Sequence, residues 1–166
     1  MEREFYQKLL HWKKSPHRKP LVLRGARQVG KTYLLTKFGK QEYDDVISIN
    51  FDEQPQFASF FKADLDPERI IKELGIFFKK IIQPGKTLLI LDEIQECEEA
   101  LASLKYFCEK KNEYHIATAG SLLGVKLAKG FPVGKVNFLD LAPMNFFEFL
   151  IAAHDPGPLA DACRSF

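Results

Sequence analysis

One stretch constrains this chain more than any other: Leu21-Val22-Leu23-Arg24-Gly25-Ala26-Arg27-Gln28-Val29-Gly30-Lys31-Thr32. An apolar run leads into glycine, four residues and Gly-Lys-Thr, and an amphipathic run follows from Tyr33-Leu34-Leu35. This is the P-loop spacing in the context it requires, with a strand before and a helix after. Each fixed position has a chemical reason. Gly25 and Gly30 permit a tight turn and leave no side chain between the loop amides and a phosphate. The N–H groups from Ala26 through Arg27, Gln28, Val29, Gly30 and Lys31 to Thr32 can form an anion nest. The helix that starts there adds the positive end of its dipole. Lys31 is a flexible point charge able to reach β- and γ-phosphates, and the Thr32 hydroxyl is a hard oxygen suited to magnesium.

A second landmark lies further along. Thr87-Leu88-Leu89-Ile90-Leu91 is an apolar run of the kind buried on both faces of a parallel sheet, and it ends in Asp92-Glu93. In a P-loop fold an aspartate closing such a strand lies beside the magnesium that the phosphates carry. Glu93, one residue on, is positioned to orient and deprotonate a water attacking the γ-phosphate. An acid in that role favours hydrolysis over transfer to an acceptor, and the sequence offers no recognisable acceptor pocket for a small-molecule kinase. Tyr114-His115-Ile116-Ala117-Thr118 reads as another strand, which delivers Ala119-Gly120-Ser121 to the same sheet edge. Ser121 is a candidate to hydrogen-bond the attacking water or the γ-phosphate, or to N-cap a helix over 122–128; the two roles are compatible. His115, inside a strand, reads as a packed core residue.

The remaining elements follow from periodicity and punctuation. Phe5, Leu9, Leu10 and Trp12 predict an amphipathic helix over 2–14, ended by Ser15-Pro16. The basic segment 16–20, with Lys13 and Lys14, reads as a solvated charged loop that could also meet a nucleotide base edge or a nucleic-acid backbone. The helix after the P-loop ends near Gly39, and residues 46–51 form a strand. Residues 56–65 are aromatic without clear period and read as loop or short helix. Asp66-Pro67-Glu68 starts a helix whose buried face runs Ile70, Ile71, Leu74, Phe77, Phe78, Ile81, Ile82. A helix over 98–111 buries Leu101, Leu104 and Phe107 with Cys108 beside them, and residues 135–139 form a fifth strand. Asn145-Phe146-Phe147-Glu148 is a capping box opening a Phe-rich helix to about Ala153, and the chain from Asp155 onward is loop-like. Five strands alternating with helices predict an α/β fold, a parallel sheet covered by helices with its ligand at the carboxyl ends of the strands.

Composition removes other classes. A chain of 166 residues suits one domain, and a net charge of +2 is too small to argue for nucleic acid or a membrane surface. The odd number of cysteines, Cys97, Cys108 and Cys163, with no C-x-x-C spacing, reads as reduced thiols. The histidines show no metal-ligand spacing. Met1-Glu2-Arg3-Glu4 is not the start of a signal peptide, and no apolar run nears the ~20 residues that cross a bilayer. A cytoplasmic protein is the expectation.

The chain resembles a prokaryotic family of AAA-like ATPases that join an N-terminal P-loop domain to a C-terminal nuclease-like domain of unknown function. The resemblance rests on Arg24 through Thr32, Asn50-Phe51-Asp52-Glu53, Leu91-Asp92-Glu93-Ile94-Gln95-Glu96, Ala119-Gly120-Ser121-Leu122-Leu123 and Pro143-Met144-Asn145-Phe146-Phe147-Glu148-Phe149-Leu150. It implies a three-layer P-loop NTPase sandwich with strand order 5-1-4-3-2. It further implies that Thr32 and Asp92 serve Mg2+, that Lys31 and Glu93 act in catalysis with Glu93 as base, and that Ser121 senses the γ-phosphate. Residues 1–155 would be the ATPase core, with a helical segment 1–15, and 156–166 a tail; the family's lid and C-terminal domain would be absent. Arg164 is the only arginine after Arg69, so a homo-oligomer or protein partner would supply the arginine that completes such sites. ATP rather than GTP rests on the resemblance and on the lack of an Asn-Lys-x-Asp motif. The resulting expectation is ATP binding with weak magnesium-dependent hydrolysis. The alternative is a nucleotide-dependent binding module for a DNA or protein partner, with little or no turnover. A fragment without independent function, prone to aggregate through Phe146, Phe147 and Phe149, is a further reading.

Overall fold

The computed structural model describes residues 2–121 and 134–141. Its elements are α1 (Glu2–Lys14), β1 (Leu21–Gly25), α2 (Lys31–Glu42), β2 (Asp45–Asn50), α3 (Ser59–Lys62), α4 (Pro67–Phe78), β3 (Thr87–Asp92), α5 (Glu98–Lys110), β4 (His115–Gly120) and β5 (Asn137–Leu141). All the strands are parallel, in the order β2-β3-β4-β1-β5, which is the expected 5-1-4-3-2 read from the other edge. The helix over 122–128, the capping box at Asn145, Cys163 and the tail lie outside the described residues.

Alternation along the strands divides the core into two. Leu88 and Ile90 of β3 point with Leu21, Leu23 and Ala119 toward α1 and α2, where they meet Leu35, Phe38 and Leu9. Leu89 and Leu91 point with Val22, Ile49 and Ile116 to the other face, against Ile70, Leu74, Leu104 and Phe107 of α4 and α5. Because helices cover both faces, β3 is buried at every position, as its unbroken apolar run predicts. The result is a three-layer sandwich.

Several local readings change in the structure. α2 runs through Gly39 to Glu42: Gly39 lies so close to β2 that an added Cβ would stand 2.8 Å from Val46 Cγ2. The glycine there serves close packing, not helix termination. Asp66 caps α4 as predicted, accepting from the Arg69 N–H at 3.2 Å. The helix, however, stops at Phe78, and Lys79 turns left-handed at φ 52° with its N–H on the Gly75 and Ile76 carbonyls. The predicted buried face therefore fails beyond Leu74. Phe77 and Ile81 are 55% and 80% exposed, although Ile82 is buried. Phe77 and Phe78 join Phe57 and Phe60 in an aromatic cluster instead, with the Phe57 and Phe78 rings stacked at 5.6 Å. The aperiodic stretch 56–65 takes shape around that cluster, as a 3-10 turn over Pro55–Ala58 followed by α3.

The basic segment is a loop solvated only in part: Lys14, Pro16 and His17 are exposed, whereas Arg18 is not. Arg18 is buried, and its guanidinium donates to the Asn112 carbonyl while the Asn112 amide donates back to the Arg18 carbonyl at 2.6 Å. Lys19 donates to the Gly134 carbonyl at 2.6 Å. These contacts lie at the amino ends of β1 and β4, the edge opposite the P-loop. Cys97 and Cys108 are free thiols, and burial pushes the Cys97 thiol upward. Among the described residues no helix is long and apolar enough to cross a membrane.

His115 is packed, as expected, but half-buried at the margin of the core. The Tyr43 hydroxyl meets its Nδ1 at 2.7 Å, and both Trp12 and Tyr43 pack edge-on against the ring. Burial, then the positive Arg18 and Lys13 nearby, lower the imidazole from 6.5 to about 4. Between those values the unfolded chain binds a proton that the folded chain does not, so His115 lowers stability as pH falls through that window. Urea unfolding at a series of pH values checks this, and His115→Phe should flatten the slope. Phe38, fully buried between α2 and the sheet, gives a second test: Phe38→Ala should lower the unfolding free energy by about 3–5 kcal/mol.

Candidate functional site

Parallel pairing sends Gly25, Asn50, Asp92, Gly120 and Leu141 to one edge of the sheet. At that edge β1 ends on Gly25, which lies so close to β5 that a Cβ would sit 2.5 Å from the Leu141 carbonyl oxygen. The sequence assigned this glycine to the tight turn and to the open approach of a phosphate; contact with the neighbouring strand is a further reason for it. The loop then passes through Gln28 at φ 63° and Gly30 at φ 84°, both left-handed, and α2 begins at Lys31. A side chain at Gly30 would meet nothing within 4 Å, so backbone conformation alone calls for glycine there.

The start of α2 differs from those of α4 and α5. α4 has the Asp66 cap and Glu68 in its first turn, and α5 has Glu98 and Glu99. α2 has neither a side-chain cap nor an acid in its first turn. Its first N–H groups are thus left to an outside acceptor, which is the arrangement that binds an anion.

The polar side chains converge on this point. Lys31 is only 6% exposed; its ammonium folds back and donates to the carbonyls of Gly25 at 3.0 Å and Ala26 at 2.6 Å. Thr32 donates its hydroxyl proton to Asp92 Oδ2 at 2.6 Å, which brings the two predicted magnesium ligands together. Asp92 is 2% exposed and also accepts from the Glu93 N–H at 3.0 Å and, at longer range, from Asn50 Nδ2 at 3.4 Å. Burial raises the Asp92 carboxyl above its usual range; the Thr32 and Glu93 hydrogen bonds and the Lys31 charge act against that rise, and the Glu93 charge adds to it. Two hard oxygens in contact at the carboxyl edge, one of them on a buried carboxylate, suit a magnesium ion that keeps waters and phosphate oxygens as its other ligands.

Glu93 stands beside Asp92 in a left-handed conformation, φ 47° and ψ 46°, and starts a 3-10 turn over Ile94–Glu96. Its carboxylate accepts from the Gln95 amide. Ser121 follows β4 at the same edge, half-buried, and its hydroxyl makes no hydrogen bond within the described residues. Ala26, Arg27 and Val29 complete the loop, with Arg27 exposed. Asn50 and Gln95 received no role from spacing or chemistry in the sequence. Their one signal was membership of the motifs Asn50-Phe51-Asp52-Glu53 and Asp92-Glu93-Ile94-Gln95.

Comparisons with known proteins agree with this architecture. AMPPCP-bound DnaA from Aquifex aeolicus superposes with a TM-score of 0.56 at 18% identity, over 99% of this chain and 51% of that one. Orc1 from Aeropyrum pernix, solved in complex with DNA, superposes with a TM-score of 0.57 at 16% identity, over 99% of this chain and 54% of that one. At such identities the likeness shows the fold, and the chain spans about half the length of these two proteins. No curated protein matches the chain in sequence. The family described as AAA domain matches residues 17–150, a span that takes in every strand of the sheet together with the loop, Asp92-Glu93 and Ser121. On that ground the chain belongs to the AAA domain family and carries its P-loop ATPase core.

Proposed function

We propose that this domain binds ATP with magnesium through residues 25–32 and hydrolyses it slowly by itself, with Glu93 as the base. The observation that carries the reading is the 2.6 Å contact of Thr32 Oγ1 with Asp92 Oδ2, with Glu93 next in the chain. The loop amides and the uncapped start of α2 would bind phosphate oxygens, and Lys31 would exchange its two loop carbonyls for β- and γ-oxygens. Thr32 and Asp92 would hold magnesium, which when bound neutralises charge on the phosphate oxygens. The Glu93 carboxylate would take a proton from the attacking water, with Ser121 donating to the γ-phosphate. The adenine nucleotide analogue bound by DnaA, a protein of the same fold, supports ATP as the nucleotide.

Slow turnover follows from the arginines. Arg24 is paired with Asp140, Arg69 with Asp64 and Glu73, and Arg18 is buried at the far edge. In these pairs and in that burial the three are not offered to the γ-phosphate, and the proposal is that Arg27, exposed in the loop itself, does not replace an arginine brought from outside, which is worth roughly 10³–10⁵ in rate. A second copy or a protein partner would supply it. If it does not, the domain acts as a nucleotide-dependent binding module, and the DNA complex of Orc1 makes DNA one partner class for that second reading.

Phosphate release from ATP and magnesium, measured beside nucleotide binding, tests the proposal. Lys31→Ala should lose both. Glu93→Gln should keep ATP bound while release falls roughly 10²–10⁴-fold, the usual worth of a general base. Asp92→Asn should bind nucleotide with weakened magnesium dependence. Release that survives Glu93→Gln at the wild-type rate rejects Glu93 as base. Binding without release in the wild type selects the binding module.

A further inference from the structure

Gln95 has no part in the reading above, yet its side chain is committed to the site. It lies in the 3-10 turn Ile94–Glu96, and its Nε2 donates to Glu93 Oε2. Its other amide atom, Oε1, is buried and has no hydrogen-bond partner among the described residues. That oxygen presses against Gly120, the last residue of β4, so closely that a Cβ on Gly120 would overlap it. Turning the amide round would set its carbonyl oxygen against a carboxylate oxygen, so charge fixes the orientation.

This arrangement is unfavourable by itself. A buried carbonyl without a donor loses its hydration and receives nothing in return. Glu93 sits in a left-handed conformation that a non-glycine residue adopts only when its surroundings impose it. A leucine or methionine at position 95 would fill the space beside Gly120 without an orphaned oxygen. What the amide adds is one donor aimed at Glu93. A glutamate carboxylate on a free side chain samples many positions; one gripped by an amide that is itself wedged between two strand ends does not. We infer that Gln95 is a positioning residue: it holds the Glu93 carboxylate at the end of β3, and the absent side chain of Gly120 makes the slot in which it does so. The inference rests on the proposed role of Glu93 as base and adds the group that aims it.

The test uses the full chain. Phosphate release across ATP concentrations, affinity for a fluorescent ATP analogue and thermal melting are measured for the wild type, Gln95→Leu, Gln95→Glu, Glu93→Gln and the double variant Glu93→Gln/Gln95→Leu. Gln95→Leu should lower kcat roughly 10–100-fold and leave KM and analogue affinity within about twofold, the pattern of a misplaced catalytic group. Its melting temperature should not fall. Gln95→Glu, which sets an acceptor against an acceptor, should lower kcat at least as far. In the double variant the loss should equal that of Glu93→Gln alone, because nothing is left to aim. Wild-type kcat in Gln95→Leu, with Glu93→Gln inactive, overturns the positioning role and leaves the base in place. Loss of affinity or melting temperature in step with kcat makes Gln95 merely structural and overturns it too. Full activity in Glu93→Gln, or none in the wild type, removes the base itself and Gln95's role with it.

Discussion

The parallel pairing of β1, β4 and β3 is the constraint on which the rest depends. β4 lies between the strand that feeds the P-loop and the strand that ends in Asp92. Thr32 and Asp92 therefore meet only because α2 lies back across the sheet, its Leu35 and Phe38 packed with Leu88 and Ile90. A one-residue slip of β3 would turn those two residues to the opposite face and carry Asp92 away from Thr32. The apolar core and the polar site are in this sense one object: burial of alternate residues fixes the register, and the register fixes where the carboxylate stands.

Unfavourable local states gather at the same edge. Of the non-glycine residues with positive φ among those described, Gln28 and Glu93 belong to the site and only Lys79 lies elsewhere, as a helix C-cap. A raised, buried carboxyl at Asp92, an uncapped helix start at Lys31 and the orphaned Oε1 of Gln95 accompany them. At α4 the fold resolves the corresponding demands with an Asp66 cap and an acid in the first turn. α5 also lacks a side-chain cap but carries Glu98 and Glu99 in its first turn, so what sets α2 apart is that it has neither a cap nor an acid.

Those features divided sharply in how far the sequence disclosed them. That the loop, Asp92 and Glu93 meet at one sheet edge was legible because it depends on where the strands end, and spacing is what a sequence carries. The strand order came from resemblance to a family, since periodicity places strands but does not order them. α4 was overextended because the apolar period continues through Phe77 and Ile81, while the chain leaves the helix at a left-handed Lys79 that no residue type announces. Gly39 read as a stop because its contact with Val46 belongs to a different strand. Arg18 read as solvated for the same reason: its partner Asn112 is remote in sequence. Gln95 stayed unread since its meaning depends on Gly120, which the fold, not the chain order, sets beside it.

The hydrogen bonds within the site also bear on how a nucleotide could be taken up without unfolding anything. Lys31 already donates to two carbonyls and Thr32 already donates to Asp92, so both side chains have acceptors in the protein by itself. Under the proposed function each would exchange one acceptor for another, and an exchange leaves no buried donor unsatisfied at either stage. Asp92 is the exception, because burial works against its charge and its hydrogen bonds offset that only in part. A divalent cation beside it would remove the penalty that burial imposes, and the same cation would accept the phosphate oxygens. Metal and nucleotide would then bind with mutual reinforcement through Asp92, while Lys31 and the loop amides contribute chiefly to the nucleotide.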